Sequence, residues 1–276
     1  MRTRSAAVEG RFYPSTKSRI FDQIMDIEQT GRYPEPDLSP EHVFGAILPH
    51  AGHLYSGYQT IPFFQLIRRH RLFPETFVLV HPNHSGDGAP LAIDEADHWS
   101  NSIGEVPVDN ELAGAMKLPF DKRAHAREHS AEVIIPFIQY FLADHPCSIV
   151  PVCMADQTFK NAALIAERIT RAARKTGRKI MVLASCDFSH FLPPAQGREM
   201  DQLVIDHILG RNAPGVERAV VENRISVCGY GPIMSLMEYA RAQSQDYKIE
   251  ILARGHSGEV SPSPEVVDYI SLIAYR

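Results

Sequence analysis

The sequence is short of the features that would commit a chain to an extracellular scaffold, a membrane or a nucleic acid. It has four cysteines, Cys147, Cys153, Cys186 and Cys228, and no CxxC pair. A dense disulfide framework is excluded, and reduced thiols are expected. No apolar stretch approaches the roughly 20 residues of a membrane span. The opening segment MRTRSAAVEGRFYP carries charge but no apolar core of signal-peptide length, so a cytoplasmic protein is expected. Basic residues never run to five in a row, and the net charge is −5, which leaves no electrostatic footprint for nucleic acid. There is no internal repeat and no low-complexity tract. Apolar residues make up 44% and charged residues 22%, as in ordinary globular proteins. The 276 residues fit one large α/β domain spanning 1–276.

What is present is a series of short apolar runs. VFGAIL (43–48), TFVLV (76–80), SIVPVCM (148–154) and KIMVLAS (179–185) read as buried parallel strands, and YKIEILARG (247–255) and VVDYISLIAY (266–275) as further, antiparallel ones. Helical patterns lie between them: 60–70, 130–144 with a kink expected at Pro136, 161–175 with a stop at Gly177, and 231–243 with proline near its first turn. The Pro-rich stretch 32–42 reads as a connection. Strands alternating with helices predict an αβα sandwich around a mostly parallel or mixed sheet.

In open α/β sheets, ligands bind beyond the carboxyl ends of the strands. Three of these runs end in histidine-rich segments: Pro49-His50-Ala51-Gly52-His53, His81-Pro82-Asn83-His84 and Cys186-Asp187-Phe188-Ser189-His190. Imidazole suits zinc, copper, iron and nickel, so His50 and His84 together are candidate metal ligands, with a carboxylate or Cys228 as the third. Cys228 precedes a glycine-rich helix start, where the thiolate is favoured. His53 and His81 read as polar residues meeting solvent at strand ends. Cys147, Cys153 and Cys186 read as small buried apolar residues. Asp187-x-x-His190 reads either as a turn cap or, given its neighbours, as an acid–base pair. Glu128, His129 and Glu132 fall at a helix start and read equally as capping residues. HSGEV (256–260) reads as a turn.

These residues resemble the Memo-like proteins, whose prokaryotic members are often called system protein B of the AmmeMemoRadiSam group. The likeness runs in order through AAVEGRFYP, AILPHAGHLYSG, HPNHSG, IGEVPVDNELA, AHAREHSAEVIIPFIQY, IVPVCM, ASCDFSHF, SVCGYGPI and HSGEV. The resemblance implies the fold of the class III extradiol dioxygenases, an αβα sandwich with a metal pocket at the strand ends. It implies His50, His84 and Cys228 as metal ligands, the cysteine standing where the dioxygenases use glutamate. It also implies His190 as the acid–base residue, with Asp187 orienting it; His81, His129, Glu128 and Tyr55 are further expected pocket residues. The chain departs from the family pattern at His81, where glycine is usual, at His53, where tyrosine is common, and at Cys186, where serine is typical.

The function implied is a metal-dependent oxidoreductase holding one divalent or redox ion, iron or copper before zinc, and acting on a small-molecule or peptide-like substrate. The alternatives are a non-catalytic adaptor that recognises a peptide or phosphopeptide in the same pocket, and a metal-handling protein. A radical SAM protein and an AMMECR-type protein are the implied partners. Both would be separate polypeptides, because this chain has no CxxxCxxC motif.

Overall fold

The computed structural model describes residues 1–276. Its elements follow in chain order. They begin with β1 (Thr3–Ser5), α1 (Lys17–Gln29), β2 (Val43–Leu48), α2 (His53–Arg69), β3 (Thr76–Pro82), β4 (Leu91–Ile93), β5 (His98–Asn101) and β6 (Gly104–Pro107). The middle holds α3 (Asn110–Met116), α4 (Arg123–Ala126), a 3-10 turn at Glu132–Ile134, α5 (Ile135–Phe141), β7 (Ser148–Met154), α6 (Phe159–Thr176) and β8 (Ile180–Ser185). The last part holds β9 (His190–Leu192), α7 (Pro194–Leu209), α8 (Ala213–Asn223), α9 (Tyr230–Gln243), β10 (Lys248–His256) and β11 (Val266–Tyr275).

The main sheet has the order β10-β11-β2-β8-β3-β7-β4, with β9 pairing to β11. Its centre, β2-β8-β3-β7, is parallel, and the strands on both flanks are antiparallel. A parallel centre must be covered on both faces, and strand period 2 divides the side chains accordingly. Along β3, Val78 and Val80 join the core under α3, α6, α7, α8 and α9, while Phe77 and Leu79 join the core under α1, α2 and α5. This is the αβα sandwich expected from the sequence.

The covering helices are amphipathic. In α6, Ala162, Ile165, Ala166, Ile169 and Ala172 are buried at helical spacing, and the helix stops at Gly177 in the left-handed conformation, φ +70°. In α1, Ile20, Ile24 and Ile27 form the buried stripe, and Thr16 caps the N-terminus by accepting from the Arg19 N–H.

Two expectations need correction. The second helix begins at His53, seven residues before the apolar pattern becomes visible, because the one aliphatic residue of its first turn, Leu54, is exposed and sets no buried stripe. Pro136 does not kink a long helix. It sits in the first turn of α5, where its missing N–H costs nothing, and the preceding residues form the 3-10 turn. The small sheet β1-β5-β6 and the short strands β4 and β9 were not legible, since three or four residues carry no measurable period.

The topology sets where a site can form. With β2, β8 and β3 parallel, their carboxyl ends meet at one edge. Each releases a polar loop there: Pro49–His53, Cys186–His190 and Asn83–Gly88.

Candidate metal centre

His50, His84 and Cys228 converge at that edge. One ligand atom from each lies within 4.8 Å of the others. His50 leaves the end of β2, His84 follows β3 by two residues, and Cys228 sits in the connection entering α9. Gly229 makes this approach possible. A β-carbon there would lie 2.2 Å from the Ser185 carbonyl oxygen and 2.7 Å from Cys186 Cβ, so only glycine lets the α9 entry press against the end of β8.

The hydrogen bonds fix which nitrogen each imidazole presents. Ser185 Oγ donates to the Ser130 carbonyl at 2.6 Å. That carbonyl can only accept, so the Ser185 hydroxyl proton is spent. The 2.7 Å contact between Ser185 Oγ and His50 Nδ1 therefore has Nδ1–H as donor. His50 Nε2 is left facing Cys228 Sγ at 3.3 Å. This is close to the separation of two donors bound at about 2.0–2.3 Å to one ion. The Glu128 carboxylate, likewise acceptor-only, takes His84 Nδ1–H at 2.9 Å and leaves His84 Nε2 as the nitrogen turned toward Cys228. Both imidazoles are thus oriented as metal-binding histidines usually are, through the nitrogen that does not ligate.

The electrostatics agree. Burial alone would raise the Cys228 thiol, but the Cys186 hydrogen bond and the His50 and His84 imidazoles outweigh it and hold Cys228 well below its ordinary value. Burial opposes protonation of His84, yet hydrogen bonds to Cys228 and Glu128 raise it to about 10. For His50, burial also opposes the charge, and Asp187 and Cys228 raise it overall. Without an ion, the pocket therefore holds protons between sulfur and imidazole. A metal would replace them, and this donor set fits one.

A second grouping, His84, Glu128 and His129, is equally compact but chemically different. Glu128 Oε1 already accepts from His84 Nδ1, the N–H groups of His129 and Ser130, and Ser130 Oγ, while Oε2 accepts from the His84 N–H. These bonds, four of them to Oε1, make it the brace of His84. Burial would raise this carboxyl, but the His84 hydrogen bond and neighbouring imidazole charges more than offset it and keep it ionised. His129 stacks on His84 at 4.7 Å and packs at a tilt against Phe12 at 4.8 Å; burial and the His50 charge push it down to about 3, so it is neutral.

The remaining expected residues fall differently. His81 and His53 do not meet solvent; both are fully buried. His125 Nε2–H donates to the Ala92 carbonyl, so His125 Nδ1 accepts from His81 Nε2, and His81 Nδ1 lies 3.1 Å from Ser130 Oγ. With Nε2–H given to His125, His81 packs against Ser130 and is not among the residues whose ligand atoms converge. His53 Nε2 donates to the Val133 carbonyl at 2.8 Å, and its ring packs on Tyr13 and Phe137. Asp187 does not orient His190. Its Oδ1 accepts the His50 backbone N–H at 2.7 Å, whereas His190 Nδ1 donates to the Ser226 carbonyl at 2.8 Å. The reason is that β9 starts at His190 and turns its ring toward the Ile225–Val227 segment. Burial raises Asp187, and His50 and His190 partly counter it. Tyr55 is half-buried on the first turn of α2, near Tyr269, which in turn lies near Asp187.

Glu132 is not a helix cap. It forms a buried 2.7 Å ion pair with Arg4 and accepts from Tyr13 OH and the N–H groups of Ala7 and Val8. Arg4 also donates to the carbonyls of His125 and Glu128, so the N-terminal segment fastens the loop that carries the Glu128 brace. Sequence reasoning missed Ser185, Ser130, Arg4 and Phe12. Ser185 alone left a signal, as the hydroxyl closing a buried strand at the site edge.

Comparisons with known proteins identify the family. The family model described as Memo-like protein matches residues 4–273. The chain is 38% identical over 275 residues to a MEMO1 family protein of Archaeoglobus fulgidus, covering 98% of each chain. It is 36% identical over 287 residues to one of Pyrobaculum aerophilum, covering 100% of each, and 33% identical over 274 residues to one of Methanococcoides burtonii, covering 98% of this chain and 99% of the other. Among solved structures, an uncharacterised protein of Escherichia coli K12 superposes with a TM-score of 0.55 at 14% identity, over 83% of this chain and 98% of that one, a likeness of fold alone. With the family model matching nearly the whole chain and relatives at 33–38% identity over its full length, the chain belongs to the Memo-like family.

Proposed function

We propose that His50, His84 and Cys228 hold one redox-active metal ion, iron or copper in preference to zinc, and that the protein is a metal-dependent oxidoreductase acting on a small aromatic or peptide-like substrate. One observation carries this reading. Two imidazoles are each locked through Nδ1–H so that their Nε2 atoms point at a shared position beside Cys228 Sγ. When bound, such an ion supplies Lewis acidity and electron transfer. The polypeptide supplies the rest. Ser185 and Glu128 keep the ligands in one tautomer. Asp187 fixes the His50 backbone. His190, held by Ser226, keeps Nε2 available to take or return a substrate proton.

Elemental analysis of protein purified without added metal tests the site. About one equivalent of iron or copper is expected, lost in His50→Ala and Cys228→Ala with the fold intact by circular dichroism. No metal even after reconstitution would end the reading. Oxygen uptake with catechol-type substrates tests the chemistry. A metal-loaded protein that consumes no oxygen yet binds peptides at micromolar affinity would instead be an adaptor.

A further inference from the structure

Cys186 is a second sulfur beside the metal centre that the proposed chemistry does not use. The two cysteines lie on segments that interlock. The Asp187 N–H, next to Cys186, donates to Cys228 Sγ at 3.3 Å, and the Gly229 N–H, next to Cys228, donates to Cys186 Sγ at 3.1 Å. Both sulfurs also lie on one acceptor, the Asp187 carbonyl, at 3.0 Å from Cys186 and 3.4 Å from Cys228. Each sulfur thus accepts from the residue following the other cysteine, which holds the pair side by side. The missing β-carbon of Gly229, which would sit 2.7 Å from Cys186 Cβ, brings the two backbones together.

Exposure divides the roles. Cys186 is fully buried, whereas Cys228 is partly open. Cys153, by contrast, is buried with only carbonyl oxygens as partners, and Cys147 is not hydrogen-bonded. Only one pair therefore has an accessible sulfur backed by a sheltered one, the arrangement that turns a first oxidation into a disulfide.

We propose that the metal-free protein carries a peroxide-responsive thiol pair, in which oxidation of Cys228 is resolved by Cys186 to a reversible disulfide that removes the sulfur ligand from the pocket. In the first step the Cys228 sulfur attacks hydrogen peroxide, the O–O bond breaks, and Cys228 becomes a sulfenic acid with release of one water. In the second, Cys186 sulfur attacks the Cys228 sulfur, the S–O bond breaks, and a second water leaves with the Cys186 proton. Two thiols are oxidised and one peroxide is reduced to two waters. A dithiol reductant reverses the change. The link between this switch and metal binding rests on Cys228 being a ligand; the disulfide itself does not.

The test uses full-length, metal-free protein and one equivalent of hydrogen peroxide. Under denaturing, non-reducing conditions, titratable thiols should fall from four to two of the four cysteines. Peptide mapping should join Cys186 to Cys228, and dithiothreitol should reverse the link. Cys186→Ser, which replaces the thiol by a slightly smaller hydroxyl that can still accept from the Gly229 N–H, should stop at a Cys228 sulfenic acid trapped by dimedone. Four persisting thiols, or over-oxidation of Cys228 in the wild type as fast as in Cys186→Ser, would overturn the proposal. Cobalt(II) separates it from the metal reading. Its thiolate charge-transfer band should appear with reduced protein, vanish on peroxide treatment and return on reduction. A cobalt band without any disulfide sinks this inference and spares the metal site. A disulfide without any cobalt band in the reduced protein sinks the metal site and spares the disulfide.

Discussion

At the scale of single residues, the pocket is governed by groups that do not touch the proposed ion position. Ser185 works because its one proton is already given to Ser130, which forces His50 to donate from Nδ1. Ser185→Ala frees the ring to adopt either tautomer. Metal affinity is expected to fall about 10–100-fold, the usual effect of losing such a partner, measured by competition with a chromophoric chelator. His84 gives a pH dependence whose sign follows from its shift. Its folded value is raised to about 10. In the metal-free protein its contribution to stability is therefore complete below its ordinary range and is lost as pH rises through about 10. Metal must displace that proton. Uptake is expected to release protons into a weakly buffered solution, and affinity should climb with pH up to about 10, both readable by calorimetry in buffers of different ionisation enthalpy. Affinity that is flat across that range would mean that His84 is not a ligand.

At the scale of elements, the site depends on how β1 and the segment after it fasten the Arg123–Ile134 region. The Arg4–Glu132 pair is buried on both sides and surrounded by further donors. Removing one partner strands the other charge away from water. Glu132→Ala is expected to destabilise the fold by about 3–5 kcal/mol in urea unfolding. Metal affinity should weaken as well, because Arg4 also holds the Glu128 carbonyl. Entry into α9 is the other sensitive element. Gly229→Ala would push a methyl group into the Ser185 carbonyl. Loss of the metal site is expected in this variant even where circular dichroism shows the sheet intact.

At the scale of the whole molecule, the two cores share one sheet and enclose several neutral histidines. Burial pushes His53 down to about 4 and His125 down to about 3. Each binds a proton more readily in the unfolded chain, so stability is held above about pH 6.5 and declines as pH falls from there toward 3. A fall in melting temperature beginning near pH 6.5 is expected, and His53→Phe should flatten part of it if the ring fits beside Phe137. A side chain shared by the sheet and its helices reports the core directly. Phe77→Ala is expected to cost about 3–5 kcal/mol in urea unfolding.

The sequence alone determined the central strands and the amphipathic helices, because a buried parallel strand must be apolar throughout and a covering helix must repeat its apolar face every three to four residues. Five of the six strand runs, 43–48, 148–154, 179–185, 247–255 and 266–275, fall within one residue of the observed elements at both ends, and 76–80 stops two residues short of the end of β3. By the ordering rule of parallel sheets it also gathered His50, His84 and Asp187 at one edge. Direction was what it could not contain. Whether Asp187 braces His190 or the His50 backbone, whether His81 ligates or supports, and which carboxylate is free all depend on contacts between residues more than 40 apart in the chain. The same is true of Ser185 and Ser130, whose roles exist only as a chain of donors and acceptors closed by the packing of β2, β8 and the Glu128–Ser130 loop. Local pattern reports burial, a property of one element at a time. Hydrogen-bond direction belongs to pairs of elements, so the tertiary structure decided it.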